Sequence, residues 1–269
     1  MPPIRPTEPT SLDDLQILLT DDGSRTLSDI KLGETYHSGC GALAESWFVY
    51  AVNSGMVERI RTRSENGDAS PLRVLEVGFG TGMAWLLTAA WAETCRVPLH
   101  YTALENRLLP AEILGSLQLP ETIRAAQARG LIDSQLDHVE SLSETWLAAR
   151  ASYVAPSPHA TLSMKIGSYT TLEIVLGDAA AYPSAPVEPF DAVYFDAFSP
   201  STNPQLWTAD VFRRMHSVMR FDAKLVSYCV NGAVRRSLSE AGFQVHRVPG
   251  PVGGKREVLV AVKAQPHAE

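Results

Sequence analysis

The chain has 269 residues, 45% of them hydrophobic and 20% charged: ample for a buried core, and without the glycine, proline or charge bias of a disordered or fibrous protein. Cys40, Cys95 and Cys229 are odd in number, far apart and free of any C-x-x-C pair, which argues against both a disulfide framework and a zinc site, so no metal is expected. A net charge of −7 argues against coating nucleic acid by bulk electrostatics, but the charge is uneven, with ten Lys and Arg against four Asp and Glu between Asp210 and Lys263.

The first residues, MPPIRPTEPTSLDDLQ, lack the basic and apolar regions of a signal peptide. The most apolar helical stretch, MAWLLTAAWAETC from Met83, falls short of the roughly 20 residues a membrane span needs. A cytoplasmic location without membrane contact is the expectation. GSRTL and ETYHS then read as a short hairpin, followed by a helix from about Gly41 and a polar linker, RTRSENGDASP. Residues 1–70 are expected to form a small extension over a main domain of residues 71–269.

From there strands and helices alternate. LRVLEV is a β-branched apolar run and reads as a buried parallel strand, with a helix from Gly82 to about Glu93 and a second strand, LHYTALE. Leu108 to about Arg150 is helical by apolar spacing, interrupted at Pro120 and Gly130. HATLSMKI and YTTLEIVL flank a two-residue hairpin signal, Gly167 and Ser168. FDAVYFD is another buried strand, followed by a helix around LWTADVFRRMHSVM, the strand AKLVSYCV, and a helix, GAVRRSLSEAG, that stops at Gly242. FQVHRV, a PGPVGG turn and REVLVAVK close the chain as an antiparallel pair. The expected fold is α/β and Rossmann-like: a mostly parallel seven-stranded sheet with an antiparallel C-terminal edge hairpin and an inserted β-hairpin. That layout resembles the class I S-adenosylmethionine-dependent methyltransferases.

In an open α/β sheet, ligands bind beyond the carboxyl ends of the strands, where strand-to-helix turns expose N–H groups. Gly78, Gly80 and Gly82, with Phe79 and Thr81 between them, occupy such a turn, and their missing Cβ atoms admit a ligand closely. A dinucleotide fingerprint needs G-x-G-x-x-G/A, and its sixth position here is Met83. With Glu76, the pattern E-x-G-x-G-x-G resembles motif I of the class I methyltransferases, whose carboxylate orders the site around the methionine ammonium. GCGALA, from Gly39, satisfies the dinucleotide spacing by letter, but polar ETYHS precedes it, so it reads as a turn into a helix. Glu105 ends the second strand, where a carboxylate can accept both ribose hydroxyls. Asp178 and Ala179 follow EIVLG, and GDA resembles the family motif that faces the adenine amino group. Each acid alone could equally be a strand-end or helix-capping group. Three of them at successive strand exits around a glycine loop point to S-adenosyl-L-methionine as cofactor.

The acceptor side is read from FDAVYFDAFSPSTNPQLWT. Asp196 leaves the strand, Phe198 supplies an aromatic wall, and Pro200 and Pro204 stiffen the loop. Methyl transfer needs an unprotonated lone pair in line with the sulfonium carbon, so a carboxylate at Asp196 could orient an acceptor amine and accept its proton. The alternative, a helix cap, remains open. This stretch, with NGAVRRSLSEAGFQVHRVPGPVGGKREVLVA, DGSRTL and GETYHSGCGALAES, resembles the methyltransferase half of MnmC, the bacterial tRNA wobble-uridine modification enzyme, and its stand-alone relatives, from about Thr20 to Lys263.

The resemblance implies N-methylation of 5-aminomethyl(-2-thio)uridine in tRNA. By motif matching, Asp196 and Phe198 would face the base and Lys255 and Arg256 would sit near the site mouth. Tyr36, His37 and Glu45 would cover the cofactor, or equally be satisfied structural groups. Bifunctional members carry a flavin-dependent oxidase domain; no second nucleotide fingerprint follows here, so separate enzymes are expected to make the amine. Docking of tRNA would depend on the basic C-terminal patch, whose residues could also be solvated faces. A methyltransferase for a small amine, a dehydrogenase and a non-catalytic RNA-binding module are the competing readings. Oligomeric state is not legible.

Overall fold

The computed structural model describes residues 4–132, 136–154, 157, 159–182 and 188–265. Four short strands open the chain and pair antiparallel in order: β1 (Thr7–Pro9), β2 (Leu15–Leu19), β3 (Arg25–Asp29) and β4 (Glu34–Thr35). The expected hairpin is the second half of this small sheet. In β2, Leu15 and Ile17 alternate inward, a signal too short to separate from the surrounding loops in sequence. GCGALA is indeed a turn into a helix, α1 (Ala42–Glu45), which widens into a π-helix (Ser46–Val52) and is followed by α2 (Met56–Asn66).

The supposed linker needs correcting. Residues 61–66, RTRSEN, form the C-terminal part of α2, and the helix stops only at Gly67, whose φ of 64° is left-handed. Met56 and Ile60 are the residues α2 buries, so its apolar stripe is two residues long and its remainder reads as polar loop.

The main sheet starts with β5 (Leu72–Val77), α3 (Met83–Cys95) and β6 (Leu99–Glu105). The helical stretch after β6 resolves into α4 (Ala111–Ser116), α5 (Leu119–Ala128) and α6 (Val139–Ser152), with residues 133–135 outside the described ones. Pro120 opens α5 rather than breaking it, because a proline in the first helical turn forfeits no hydrogen bond. Then come β7 (Thr161–Lys165), β8 (Thr170–Leu176), β9 (Phe190–Phe195), α7 (Ala209–Val218), β10 (Met219–Ser227), α8 (Gly232–Glu240), β11 (Gln244–Pro249) and β12 (Glu257–Val262). Their order in the sheet is β11-β12-β10-β9-β5-β6-β8-β7. The five central strands are parallel and the C-terminal pair is antiparallel, as expected. The inserted hairpin lies in the sheet: β8 pairs parallel with β6, and β7 adds an eighth, antiparallel strand at the edge.

Strand alternation divides the core into two layers. Leu72 and Val74 of β5, Tyr101 and Ala103 of β6, and Ala192 and Tyr194 of β9 face one layer, shared with α3 and with Leu15, Leu27, Leu43 and Trp47 of the extension. Leu75, Val77, Leu104, Val193 and Phe195 face the other, against α7 and α8. Continuing the same parity by one step puts Glu76, Glu105 and Asp196 on the extension's side at the strands' carboxyl ends. Among the described residues, no helix is long and apolar enough to cross a membrane.

Candidate active site

β5 lies between β6 and β9, and its exit is therefore the crevice at the switch point of the sheet. Gly78, Gly80 and Gly82 have φ of 92°, 52° and 76°. At Gly78 a Cβ would stand 2.7 Å from the Asp196 carbonyl oxygen, so the glycine loop and the loop leaving β9 touch backbone to backbone. At Gly80 a Cβ would stand 3.2 Å from the Tyr36 ring, which makes Tyr36 the cover of the loop from the extension side. The Gly80 N–H donates to Glu105 Oε2 at 2.9 Å and the Arg107 N–H to Glu105 Oε1 at 2.7 Å. Burial pushes the Glu105 carboxyl above its ordinary range against those donors, and burial beside Glu105 pushes the Tyr36 hydroxyl up to about 12.

Glu76 is 1% exposed, and its Oε2 has no hydrogen-bond partner; Thr81 Oγ1, on the loop itself, is also buried and unpartnered. Burial, then the charge of Asp196, pushes the Glu76 carboxyl well above its ordinary range. An unpaired buried carboxyl is costly, and a cationic ligand group would relieve it. These orphaned oxygens beside a side-chain-free bend fit the methionine ammonium and adenosyl group of S-adenosyl-L-methionine.

Asp196 accepts a hydrogen bond from the Tyr50 hydroxyl through Oδ1. Tyr50 is fully buried on the π-helix, an expanded turn of the kind found at functional sites. Burial and the nearby charge of Glu45 push the Asp196 carboxyl well above its ordinary range, opposed by the Tyr50 bond and by Lys255. The helix-cap alternative for Asp196 is excluded, since the Thr208 side chain caps α7. The loop after Asp196 is tied on three sides. Trp207 Nε1 donates to the Phe198 carbonyl at 2.9 Å and the Tyr228 hydroxyl to the Ala197 carbonyl at 3.0 Å. Glu34 of β4 accepts from the Ser199 N–H at 3.1 Å and from the hydroxyls of Ser199 and Thr202. Phe198 meets the Tyr36 ring edge-on, centroids 5.1 Å apart, and Pro200 is half-buried in the same loop.

Several of the expected residues also make contacts of their own within the fold. The Phe79 side chain points into the core, against Trp146 and Trp85, leaving only its backbone in the loop. Glu45, expected with the cofactor group, accepts from the Ser38 N–H at 2.6 Å and pairs with Lys255 Nζ at 3.3 Å, while that ammonium lies 3.8 Å from the Tyr228 ring centroid. Asp178 is exposed and caps the single turn Ala179–Ala181, its Oδ1 accepting from the Ala180 N–H at 2.9 Å. His37 is buried, with Nδ1 2.7 Å from Thr26 Oγ1, and burial lowers its pKa, as for a satisfied structural group. Arg256 is exposed beside Lys255. Glu34, Tyr50 and Tyr228 went unassigned in the sequence. Only Tyr50 carried a signal, a phenol in an apolar helix that must find a buried partner.

The family described as S-adenosyl-L-methionine-dependent methyltransferase matches residues 140–264. The chain is 32% identical over 254 residues to the tRNA 5-methylaminomethyl-2-thiouridine biosynthesis bifunctional protein MnmC of Cupriavidus metallidurans, covering 93% of this chain and 34% of that protein. It is 33% identical over 245 residues to the protein of the same name in Burkholderia multivorans, covering 89% and 33%. The chain thus spans about a third of the length of these curated relatives. The crystal structure of MNMC2 from Aquifex aeolicus superposes with a TM-score of 0.67 at 24% identity, over 97% of this chain and 73% of that one, which establishes the shared fold. In sequence and in fold, the chain is an MnmC-like, S-adenosyl-L-methionine-dependent methyltransferase.

Proposed function

We propose that the chain N-methylates the aminomethyl group of 5-aminomethyl(-2-thio)uridine at the tRNA wobble position, a reaction placed in the cytoplasm with its substrate. The observation that carries this reading is the contact between the two loops: the bend at Gly78 rests on the backbone of Asp196, so the cofactor cradle and the acid share one wall. Glu76, Gly78, Gly80, Thr81 and Glu105 would hold the cofactor, with Tyr36 of the extension, residues 1–70, as its cover. The bound sulfonium supplies an electrophilic methyl carbon. Asp196, oriented by Tyr50, accepts an acceptor ammonium as a hydrogen-bond donor and takes its proton, leaving the nitrogen lone pair directed at that carbon. The upward direction of the Asp196 shift suits this task, because a more basic carboxylate is a better proton acceptor than an exposed one. Phe198 and Pro200 would wall the base, and the Lys255–Glu45 pair would border the acceptor.

The experiment is transfer of labelled methyl from S-adenosyl-L-methionine to tRNA carrying 5-aminomethyluridine, followed by nucleoside analysis. Label in 5-methylaminomethyluridine is expected, with Asp196→Asn slowing turnover by roughly 10²–10⁴-fold while S-adenosylhomocysteine still binds. No label in any tRNA pool, together with methylation of a small amine, would replace tRNA with a metabolite as acceptor.

A further inference from the structure

The basic residues of the C-terminal region do not behave alike. Arg213 pairs with Asp210, Arg220 with Asp191 and Arg247 with Glu257, and Arg214 donates to the Ala180 carbonyl. Arg235 and Arg236, on α8, form no ion pair among the described residues. Their guanidinium groups nonetheless converge: a Cβ added at Gly232 would lie 3.7 Å from Arg236 Nη1 and 3.8 Å from Arg235 Nη2. Both line an open groove with Ser239, Glu240 and, across from them on β11, Arg247. Arg235 is half-buried and its Nε is shielded from solvent without a partner.

Two guanidinium groups that reach the same glycine repel each other, and although Glu240 lines the groove neither forms an ion pair with it. An external anion with several acceptor oxygens would offset that repulsion. Guanidinium forks match phosphate oxygens in pairs. The groove also has a defined relation to the reacting centre. β11 runs from Arg247 into the turn that carries Lys255, and Lys255 reaches Glu45 and the Tyr228 ring beside Asp196. On a chain of net charge −7, a localised cluster of this kind is what can give a polyanion one preferred place to sit.

We propose that the α8–β11 groove is the docking track for the phosphodiester backbone of the RNA acceptor, with Arg235 and Arg236 gripping phosphates next to the base that enters the site. The proposal rests on the tRNA reading above and adds the surface that serves it.

The test is a salt series of steady-state kinetics on hypomodified tRNA for the wild type, Arg236→Glu, and the double variant Arg235→Gln/Arg236→Gln. Arg236 is exposed, so its charge reversal leaves the fold intact; melting with and without S-adenosylhomocysteine checks this in both variants. The expected result is a KM for tRNA raised about tenfold or more with kcat and the S-adenosylhomocysteine shift unchanged, and a plot of log KM against log salt that is shallower by roughly 1 to 2. Unchanged KM and slope in variants that melt like the wild type would overturn the groove while leaving the tRNA reading standing. A wild type that transfers no methyl to any tRNA would overturn both.

Discussion

Glu76 is sealed at the end of β5 with an oxygen that finds no donor, facing Asp196, Glu105 and the Tyr101 hydroxyl. Its carboxyl is held well above the ordinary value of 4.5 by burial. A group whose folded-state pKa is raised in this way penalises the fold as pH climbs past the ordinary value, because the unfolded chain ionises first; the penalty levels off once the folded carboxyl ionises too. Glu76→Gln removes that penalty. In the ligand-free protein the variant is expected to melt higher than the wild type, by about 2–4 °C for each kcal/mol recovered, with a gap that widens as pH climbs past the ordinary carboxylate range. The same substitution removes the carboxylate proposed to meet the cofactor's ammonium, so the rise in melting temperature caused by S-adenosylhomocysteine should disappear. Melting curves across pH, with and without that ligand, read both effects. A variant that melts below the wild type at neutral pH would make Glu76 a structural group rather than a binding one. Stability and binding pull apart at this position, as expected where a site keeps a destabilising group for its ligand.

The two-residue strand β4 and the loop from Ala197 to Thr202 act together through Glu34, whose carboxylate holds three donors of that loop and is kept below its ordinary pKa by them against the effect of burial. With Tyr36 two residues later resting on both Gly80 and Phe198, one short segment touches both the proposed cofactor cradle and the proposed acceptor wall. Glu34→Ala should therefore raise KM for the acceptor about tenfold with little change in affinity for S-adenosylhomocysteine. Ser199→Ala/Thr202→Val should reproduce it from the loop side, and Glu34→Gln, which keeps an acceptor oxygen, should restore part of it. Equal losses in both constants, tracking melting temperature alone, would reduce Glu34 to a fold contact. This tether also marks the limit of what the sequence discloses. β5, β6 and β9 are legible because buried parallel strands are continuous apolar runs, and Glu76, Glu105 and Asp196 because they end those runs. Glu34 is separated from Ser199 by 165 positions and Tyr50 from Asp196 by 146, and no local pattern encodes a partner at that range. At Asp178 a motif match does not disclose that the carboxylate also bonds to its own turn. α2 is not legible because a helix that buries two residues reads as a loop.

Across the molecule, the small sheet and the main sheet are joined by one apolar layer, in which Leu15, Ile17 and Leu27 pack together with Val74, Trp85 and Tyr101. The cofactor site proposed here lies where that shared layer reaches the carboxyl edge of the main sheet, with the glycine loop below and Tyr36 above. A ligand held on both sides stabilises both, and its binding free energy should appear as slower local opening in each. Glycine-rich turns and short edge strands have few buried contacts of their own, so they are the segments with most protection to gain. Hydrogen exchange with and without S-adenosylhomocysteine tests this directly. Peptides covering residues 36–45 and residues 78–82 should both slow on binding, together with the Arg107 amide that the Glu105 carboxylate holds. The strands at the two outer edges of the main sheet, β7 and β11, should exchange as before. Slowing confined to residues 78–82 would mean that the cofactor is held by the main sheet alone, and Tyr36 would then belong to the acceptor wall through Phe198 rather than to the cofactor's cover.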